Sequence, residues 1–421
     1  MFEELIIVDG GAPIQGSLRV AGAKNSVLKL MAATILAPGI NIIKNVPIIS
    51  DVTLMGEVLT TLGAEVNFGD RQVTIDSSTI NSVHTPYELV ARMRASIAVL
   101  GPLIGRFGKA HVAMPGGCQI GSRKLDMHIS GLEALGVNFE VEHGFIDATT
   151  PQGLRGAQVV LDFPSVGATE NLMMAAVCAN GSTLIDNAAR EPEIVDLAEF
   201  LAQMGAKISG AGTPTIEIEG VAELSPVTDY TTIGDRIEAG TFLVAGMLGG
   251  GPLTVCGVNS QHLEIALAKL RIMGAELTIK DDTITIRHSG IIRPSDIQTL
   301  PFPGFPTDLQ AQFMVLNVLA AGPSVITENL YENRFMFAGE ISRMGAEIRI
   351  EGHHALINGI KRLSGAPVRS PDLRGGAALV LAGLVADGRT EISGVEHIDR
   401  GYEDFVVKLA SVGAQIQRVS I

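Results

Sequence analysis

Cysteine is the first scarcity: the 421 residues hold three, Cys118, Cys178 and Cys256. An odd number without short metal-type spacing argues against a disulfide framework and against a metal site, so any cysteine chemistry is that of a free thiol. Long apolar runs are missing too. The longest, such as Ala377–Ala386 with its glycine, reach about half of the ~20 residues that a membrane span needs, and no membrane partner is expected. The chain opens Met-Phe-Glu-Glu, without the basic, apolar, small-residue order of a secretory signal, so a cytoplasmic location is expected. Positive charge is short as well, with 31 Lys and Arg against 45 Asp and Glu and a net charge of −14. That balance argues against nucleic acid as a partner. An anionic ligand would have to be met by cations gathered locally. What the chain does have is apolar material, 46% of its residues, enough for the cores of two ordinary domains.

A repeat runs through the whole length. A Gly-Ala-like motif recurs as Leu62-Gly63-Ala64, Leu135-Gly136-Val137, Met204-Gly205-Ala206, Met273-Gly274-Ala275, Met344-Gly345-Ala346 and Val412-Gly413-Ala414, its glycines 68 to 73 residues apart. Earlier in each repeat stands a second glycine: Gly39, Gly108, Gly181, Gly251, Gly322 and Gly388. Both sit where a helix would end in a left-handed cap, and alternating β-branched runs follow, Ile40–Ile43 after the first and Glu65–Ile75 after the second. The repeat reads helix, strand, helix, strand, strand. The sixth ends at Ile421 one strand short, and Leu5-Ile6-Ile7-Val8 resembles the missing strand. The expected domains are therefore 22–230, and 1–21 together with 231–421, with crossings near Gly22 and Tyr230 that permit hinge closure.

The first helix of each repeat begins at a comparable place: Ala23-Lys24-Asn25, Arg94-Ala95-Ser96, Ser165-Val166-Gly167, Asp235-Arg236, Thr307-Asp308 and Asp372-Leu373-Arg374. Capping of orphan N–H groups accounts for Ser165, Asp235, Thr307 and Asp372. It does not account for Lys24, Arg94 and Arg374. A cation at a positive helix end is unfavourable by ~0.3–1 kcal/mol unless an anion lies between them. The second helices add Arg123 and Asp126, Glu191 and Glu193, Asn333 and Arg334, and Asp399 and Arg400 near their starts.

With those residues stand Pro115-Gly116-Gly117-Cys118 with Ile120-Gly121, Met93-Arg94-Ala95-Ser96, Ala189-Arg190-Glu191-Pro192-Glu193, Phe305-Pro306-Thr307-Asp308, Glu332-Asn333-Arg334-Phe335 and His397-Ile398-Asp399-Arg400-Gly401-Tyr402. Taken in chain order, and end to end, these segments resemble the enolpyruvyl transferases, in particular the branch acting on UDP-N-acetylglucosamine. The resemblance implies an α/β fold of two inside-out domains, each of three βαβαββ-type repeat units, with the active site in the cleft between them. It implies transfer of enolpyruvyl from phosphoenolpyruvate to the sugar 3'-hydroxyl, the first committed step of peptidoglycan precursor synthesis, without cofactor or metal and without need of an oligomer. Lys24, Asn25, Arg123, Arg374 and Arg400 are then the phosphoenolpyruvate ligands. Arg94, the run Arg123-Lys124-Leu125-Asp126-Met127, Phe163, Pro164, Ser165 and Val166 match the uridine and diphosphate contacts, and Leu330 a position on the sugar side. Two departures stand out: Ala98 replaces a tryptophan of well-known members, expected to alter cleft lining, and Phe163-Pro164 replaces a lysine-bearing stretch.

The chemistry needs one base and one acid, because the hydroxyl loses a proton as it attacks C2 while C3 gains one. Asp308 is the candidate base, with Thr307 available as the cap in its place. Cys118, in a glycine-rich loop read as a mobile lid, is the candidate acid and, by the resemblance, the carrier of a covalent phosphoenolpyruvate adduct. Cys178 and Cys256, on apolar elements, read as inert. Arg334 either orients the base or holds the domains together, and Asp372 supports Arg374. His128 reads as a hydrogen-bonded structural histidine. Two rivals remain: the sister transfer to shikimate 3-phosphate, and a non-catalytic repeat protein whose helix ends bind a partner.

Overall fold

The structure, a computed structural model, describes residues 4–114 and 125–420. Those residues form six four-stranded sheets of one topology, an outer strand parallel to the next and two antiparallel strands beyond it. In the first, Tyr230–Thr231 lies parallel to Ile40–Lys44, which pairs antiparallel with Gln72–Asp76 and through it with Glu65–Gly69. The strand Glu4–Asp9 stands between Arg389–Ser393 and Gln415–Ser420, antiparallel to both, and completes the sixth sheet as the missing strand requires.

Contacts divide the described chain into a first unit, residues 22–114 and 125–233, and a second, residues 4–21 and 234–420. Each has its own apolar core. The inner strands alternate exposed and buried residues, as in Thr215–Glu219, so each sheet has one wet and one dry face. The helices Lys24–Ala33 and Val166–Ala176 in the first unit, and Arg236–Gly249, Gln310–Val318 and Leu373–Val385 in the second, are buried almost all round. A helix apolar on every face belongs inside, and here the helices occupy the interior while sheets cover it. Among the described residues no helix is long and apolar enough to cross a membrane.

The Gly-Ala glycines all take the left-handed conformation, with φ between 95° and 112°. The earlier set needs one correction. In the fourth repeat Gly250, with φ 73°, caps the helix Arg236–Gly249, and Gly251 does not hold that conformation. Gly251 already belongs to the strand Gly250–Cys256, where the pairing with Ile14–Arg19 shifts register between Gly250 and Leu253.

Candidate active site

In the first unit Lys24 opens the helix Lys24–Ala33 and Asn25, half-buried, follows it. Lys24 is 8% exposed, and its Nζ lies 2.7 Å from Oδ2 of Asp51, itself buried in the first turn of the helix Ser50–Thr61. The carboxylate that offsets this cation at a positive helix end is therefore the protein's own. One turn on, Lys29 Nζ lies 3.0 Å from Glu170 Oε2 and donates to the Asn25 carbonyl at 3.3 Å. Burial pushes the Glu170 carboxyl up to about 7 against the pull of Lys29. The same helix is fixed by Ser26, whose hydroxyl donates to Asp196; the Tyr230 hydroxyl donates to the other Asp196 oxygen at 2.7 Å.

Arg94 opens the 3₁₀ turn Arg94–Val99. Its charge reaches His128, which burial first and Arg94 second hold down to about 4. A neutral His128 can accept from Asn171 Nδ2 at 3.0 Å; Asn171 also donates to the Ile97 carbonyl at 3.2 Å and accepts from Gly101 N–H at 2.7 Å. One buried amide thus joins the Arg94 turn, the helix Leu100–Phe107 and the helix Asp126–Ala134. Leu125 and Met127 are half-buried and Asp126 is exposed. Ser165 caps the helix Val166–Ala176 by accepting from Ala168 N–H at 3.3 Å, with Phe163 exposed and Pro164 and Val166 half-buried beside it. A Cβ at Gly167 would lie 3.2 Å from the His128 ring. The structure accordingly brings Arg94, the 125–127 segment and the 163–166 segment together. Ala98 is 2% exposed and packs into the first unit's core. Cys118, Arg123 and Lys124 lie outside the described residues.

In the second unit Asp308 occupies the 3₁₀ turn Thr307–Leu309. Thr307 is not its cap, contrary to expectation: the N-cap position belongs to Pro306, and the Thr307 hydroxyl donates to Glu328 Oε2 at 2.8 Å. Asp308 Oδ1 accepts from Arg334 Nη2 at 2.6 Å and lies 3.5 Å from Arg374 Nε. Both arginine side chains are 4% exposed. Asp372 caps the helix Leu373–Val385 by accepting from the N–H groups of Arg374 and Gly375 at 2.9 and 3.1 Å, which fixes the base of the Arg374 side chain. The Arg374 guanidinium lies 5.4 Å from the Tyr402 ring centroid. Burial disfavours its charge, yet Asp308, Tyr402 and Asp235 hold its pKa above the ordinary value. Its Nε and Nη1 nevertheless find no hydrogen-bond acceptor among the described residues. A buried guanidinium with unmatched donors is a demand for an acceptor. Arg400, half-buried, ends the 3₁₀ turn Val395–Arg400 two residues before Tyr402, and Leu330 N–H donates to Glu328 Oε1 at 2.9 Å. A cavity of about 250 Å³ is lined by Arg236, the segment 261–266, Phe302, Pro303, Gly304 and Pro306, the residue before the turn Thr307–Leu309.

The family described as EPSP synthase (3-phosphoshikimate 1-carboxyvinyltransferase) matches residues 8–409. The chain belongs to this enolpyruvyl transferase family. Within it, the chain is 52% identical to UDP-N-acetylglucosamine 1-carboxyvinyltransferase 2 of Carboxydothermus hydrogenoformans over 99% of this chain and 100% of that one. It is 52% identical to UDP-N-acetylglucosamine 1-carboxyvinyltransferase of Corynebacterium jeikeium over 99% of both. Among solved structures, the enolpyruvyl transferase NikO from Streptomyces tendae matches with a TM-score of 0.89 and 27% identity over 100% of both chains. EPSP synthase from Acinetobacter baumannii shares the fold, at a TM-score of 0.78 and 18% identity over 99% of this chain and 100% of that one. The enolpyruvyl transferase fold of two repeat-built α/β units is therefore the fold of this chain, as the repeat and the motifs imply.

Asp51, Lys29, Glu170, Asn171 and Glu328 surround the candidate residues without any sequence signal at motif spacing. Asp51 alone had a trace: an acid in the first turn of a second helix, the place where the other repeats also carry charge.

Proposed function

We infer that this chain transfers the enolpyruvyl group of phosphoenolpyruvate to the 3'-hydroxyl of UDP-N-acetylglucosamine and releases phosphate. The observation that carries the reading is identity of 48% to 52% with relatives named for that transfer, each matched over 99% or more of its own length. Likeness to EPSP synthase structures stops at 18% identity. As the first committed step of peptidoglycan precursor synthesis, the reaction uses two anionic substrates, which fits an acidic chain that concentrates its buried cations.

The transfer is an addition followed by an elimination. The sugar oxygen bonds to C2 of phosphoenolpyruvate, its proton goes to a base, and C3 takes a proton, giving a tetrahedral intermediate. The C2–O bond to phosphate then breaks, C3 loses a proton, and the double bond re-forms as phosphate leaves. In this reading Asp308 is the base and Arg334 orients it, because a donor at 2.6 Å on Oδ1 fixes the carboxylate plane. Arg374 offers its unmatched N–H groups to the phosphate or carboxylate of the donor substrate. Lys24, Asn25, Arg400 and Arg123 complete that set, and Cys118 gives the C3 proton. Arg94, Lys124, Leu125, Asp126, Met127, Phe163, Pro164, Ser165 and Val166 take the nucleotide, with Leu330 toward the sugar.

Phosphate release from phosphoenolpyruvate, measured with UDP-N-acetylglucosamine and separately with shikimate 3-phosphate as acceptor, tests the assignment. Turnover with the nucleotide sugar alone is expected. Turnover with shikimate 3-phosphate alone would move the chain to the sister activity, and none with either would remove the enzymatic reading. A phosphonate epoxide mimicking phosphoenolpyruvate should add its mass to the Cys118 peptide and leave Cys178 and Cys256 unmodified.

A further inference from the structure

Glu328 follows the strand Ser324–Thr327 and is 2% exposed. Its carboxylate forms no ion pair among the described residues, yet four donors converge on it. Oε1 accepts from the Thr299 hydroxyl at 2.9 Å, Leu330 N–H at 2.9 Å and Tyr331 N–H at 3.2 Å, and Oε2 accepts from the Thr307 hydroxyl at 2.8 Å. Two oxygens offer about four acceptor sites, and four donors meet them, three on Oε1 and one on Oε2. Asn329 reinforces the arrangement by donating its N–H to Thr299 Oγ1 at 2.9 Å and its Nδ2 to the Thr299 carbonyl at 3.0 Å.

Thr299 follows the short strand Ile297–Gln298, and the other three donors lie in two segments outside the strands. One holds Thr307, the residue before Asp308; the other runs through Leu330 and Tyr331 to Arg334. Each end of the Arg334–Asp308 contact therefore hangs from one oxygen of the same buried carboxylate. We propose that Glu328 is a positioning residue for enolpyruvyl transfer, setting Asp308 against Arg334 and Leu330 against the sugar. The role rests on the reading of Asp308 as the base.

Loss of the carboxylate frees Thr307 and leaves two backbone N–H groups without their acceptor, while the charged groups stay in place. A displacement of ~1 Å at a reacting group costs about 10²-fold in rate. Glu328→Ala should lower kcat by about 10²-fold with KM for phosphoenolpyruvate within about threefold, because Arg374 is untouched. Glu328→Gln keeps the volume and one acceptor oxygen, and its amide can donate to Thr307, so it should recover to within about tenfold of wild type. A residue needed only for folding would lower apparent kcat through the folded fraction alone, so kcat per folded molecule, with the folded fraction read by calorimetry on the same preparation, would stay at wild type. Should Glu328→Ala fail to fold, Thr307→Val carries the test: kcat down about tenfold, with Thr307→Ser near wild type. Wild-type kcat in Glu328→Ala or in Thr307→Val overturns the proposal, as does equal loss in Glu328→Ala and Glu328→Gln. Asp308→Asn run alongside separates the two failures. If it is inactive while the Glu328 and Thr307 variants run normally, only the positioning role falls; if it too turns over normally, the reading of Asp308 falls first.

Discussion

Replacing Asp308 by Asn keeps the shape of the side chain and removes its charge from between two buried guanidiniums. The stability cost follows from the geometry. Arg334 loses a charge-assisted bond of 2.6 Å and keeps a neutral acceptor, and Arg374, at 3.5 Å, loses an opposite charge but no hydrogen bond. Neutral in place of charged acceptors costs ~1–2 kcal/mol in total, and Asp308 is 28% exposed, so water screens part of the remainder. For a unit of about 200 residues each kcal/mol lowers Tm by ~2–4 °C, which gives a fall of ~2–8 °C. Catalysis should suffer far more, because loss of a positioned base costs ~10²–10⁴-fold. Differential scanning calorimetry and phosphate release on one preparation give both numbers. Turnover within about threefold of wild type, with Tm lowered as computed, would falsify the catalytic role and leave Asp308 as a structural clamp for two arginines.

Asp51→Ala leaves Lys24, 10% exposed at its side chain, without its 2.7 Å carboxylate; stability should fall by ~3–5 kcal/mol and KM for phosphoenolpyruvate should rise. Chemical denaturation and initial rates check both, and the paired variant Lys24→Met with Asp51→Leu should recover stability but not activity. Asp196 gives a pH signature. Burial first raises its carboxyl to about 6, against the hydrogen bonds of Ser26 and Tyr230. The folded state thus binds the proton more tightly than the unfolded state, so this contribution is fully present below pH ~4 and is lost as pH rises through about 6. Unfolding free energy measured from pH 4 to 8 should carry a downward component that Asp196→Asn lacks; parallel curves for the two proteins would remove it.

The fold was legible because it repeats. Six glycines at a near-constant interval each demand the same left-handed conformation, and six observations of one period outweigh the ambiguity of any single helix end. Glu4–Asp9 could be placed in the sixth sheet for the same reason, since five complete repeats define what the sixth lacks. Ser165, Asp235 and Asp372 were legible as caps because a cap reaches only two or three residues along the chain. The one glycine misplaced, Gly251 for Gly250, lies in a run of three glycines, where no side chain marks which one turns. Thr307 misled because its hydroxyl had a second use 21 residues away, at Glu328. Glu328, Asn171 and Asp51 share that property. Their partners are fixed by how one repeat packs on its own strands and neighbours, which composition and spacing do not encode.

The cations at helix starts show how far a local electrostatic rule carries. Lys24, Arg94 and Arg374 each violate the preference of a positive helix end for negative charge, and the violation alone points to an anion without saying whose. At Lys24 the anion is Asp51, within ideal ion-pair distance. At Arg374 it is Asp308, near enough at 3.5 Å to offset the charge but too poorly aligned to use Nε, while Nη1 also lacks a hydrogen-bond acceptor. Charge compensation without hydrogen-bond satisfaction lowers the cost of burying the guanidinium and leaves its Nε and Nη1 donors unused among the described residues. A phosphate or carboxylate at Arg374 gains bonds that the protein does not already make, whereas one at Lys24 must share the ammonium with a carboxylate. Of the cations at helix starts, Arg374 is therefore the one whose loss should remove the most binding energy for the donor substrate.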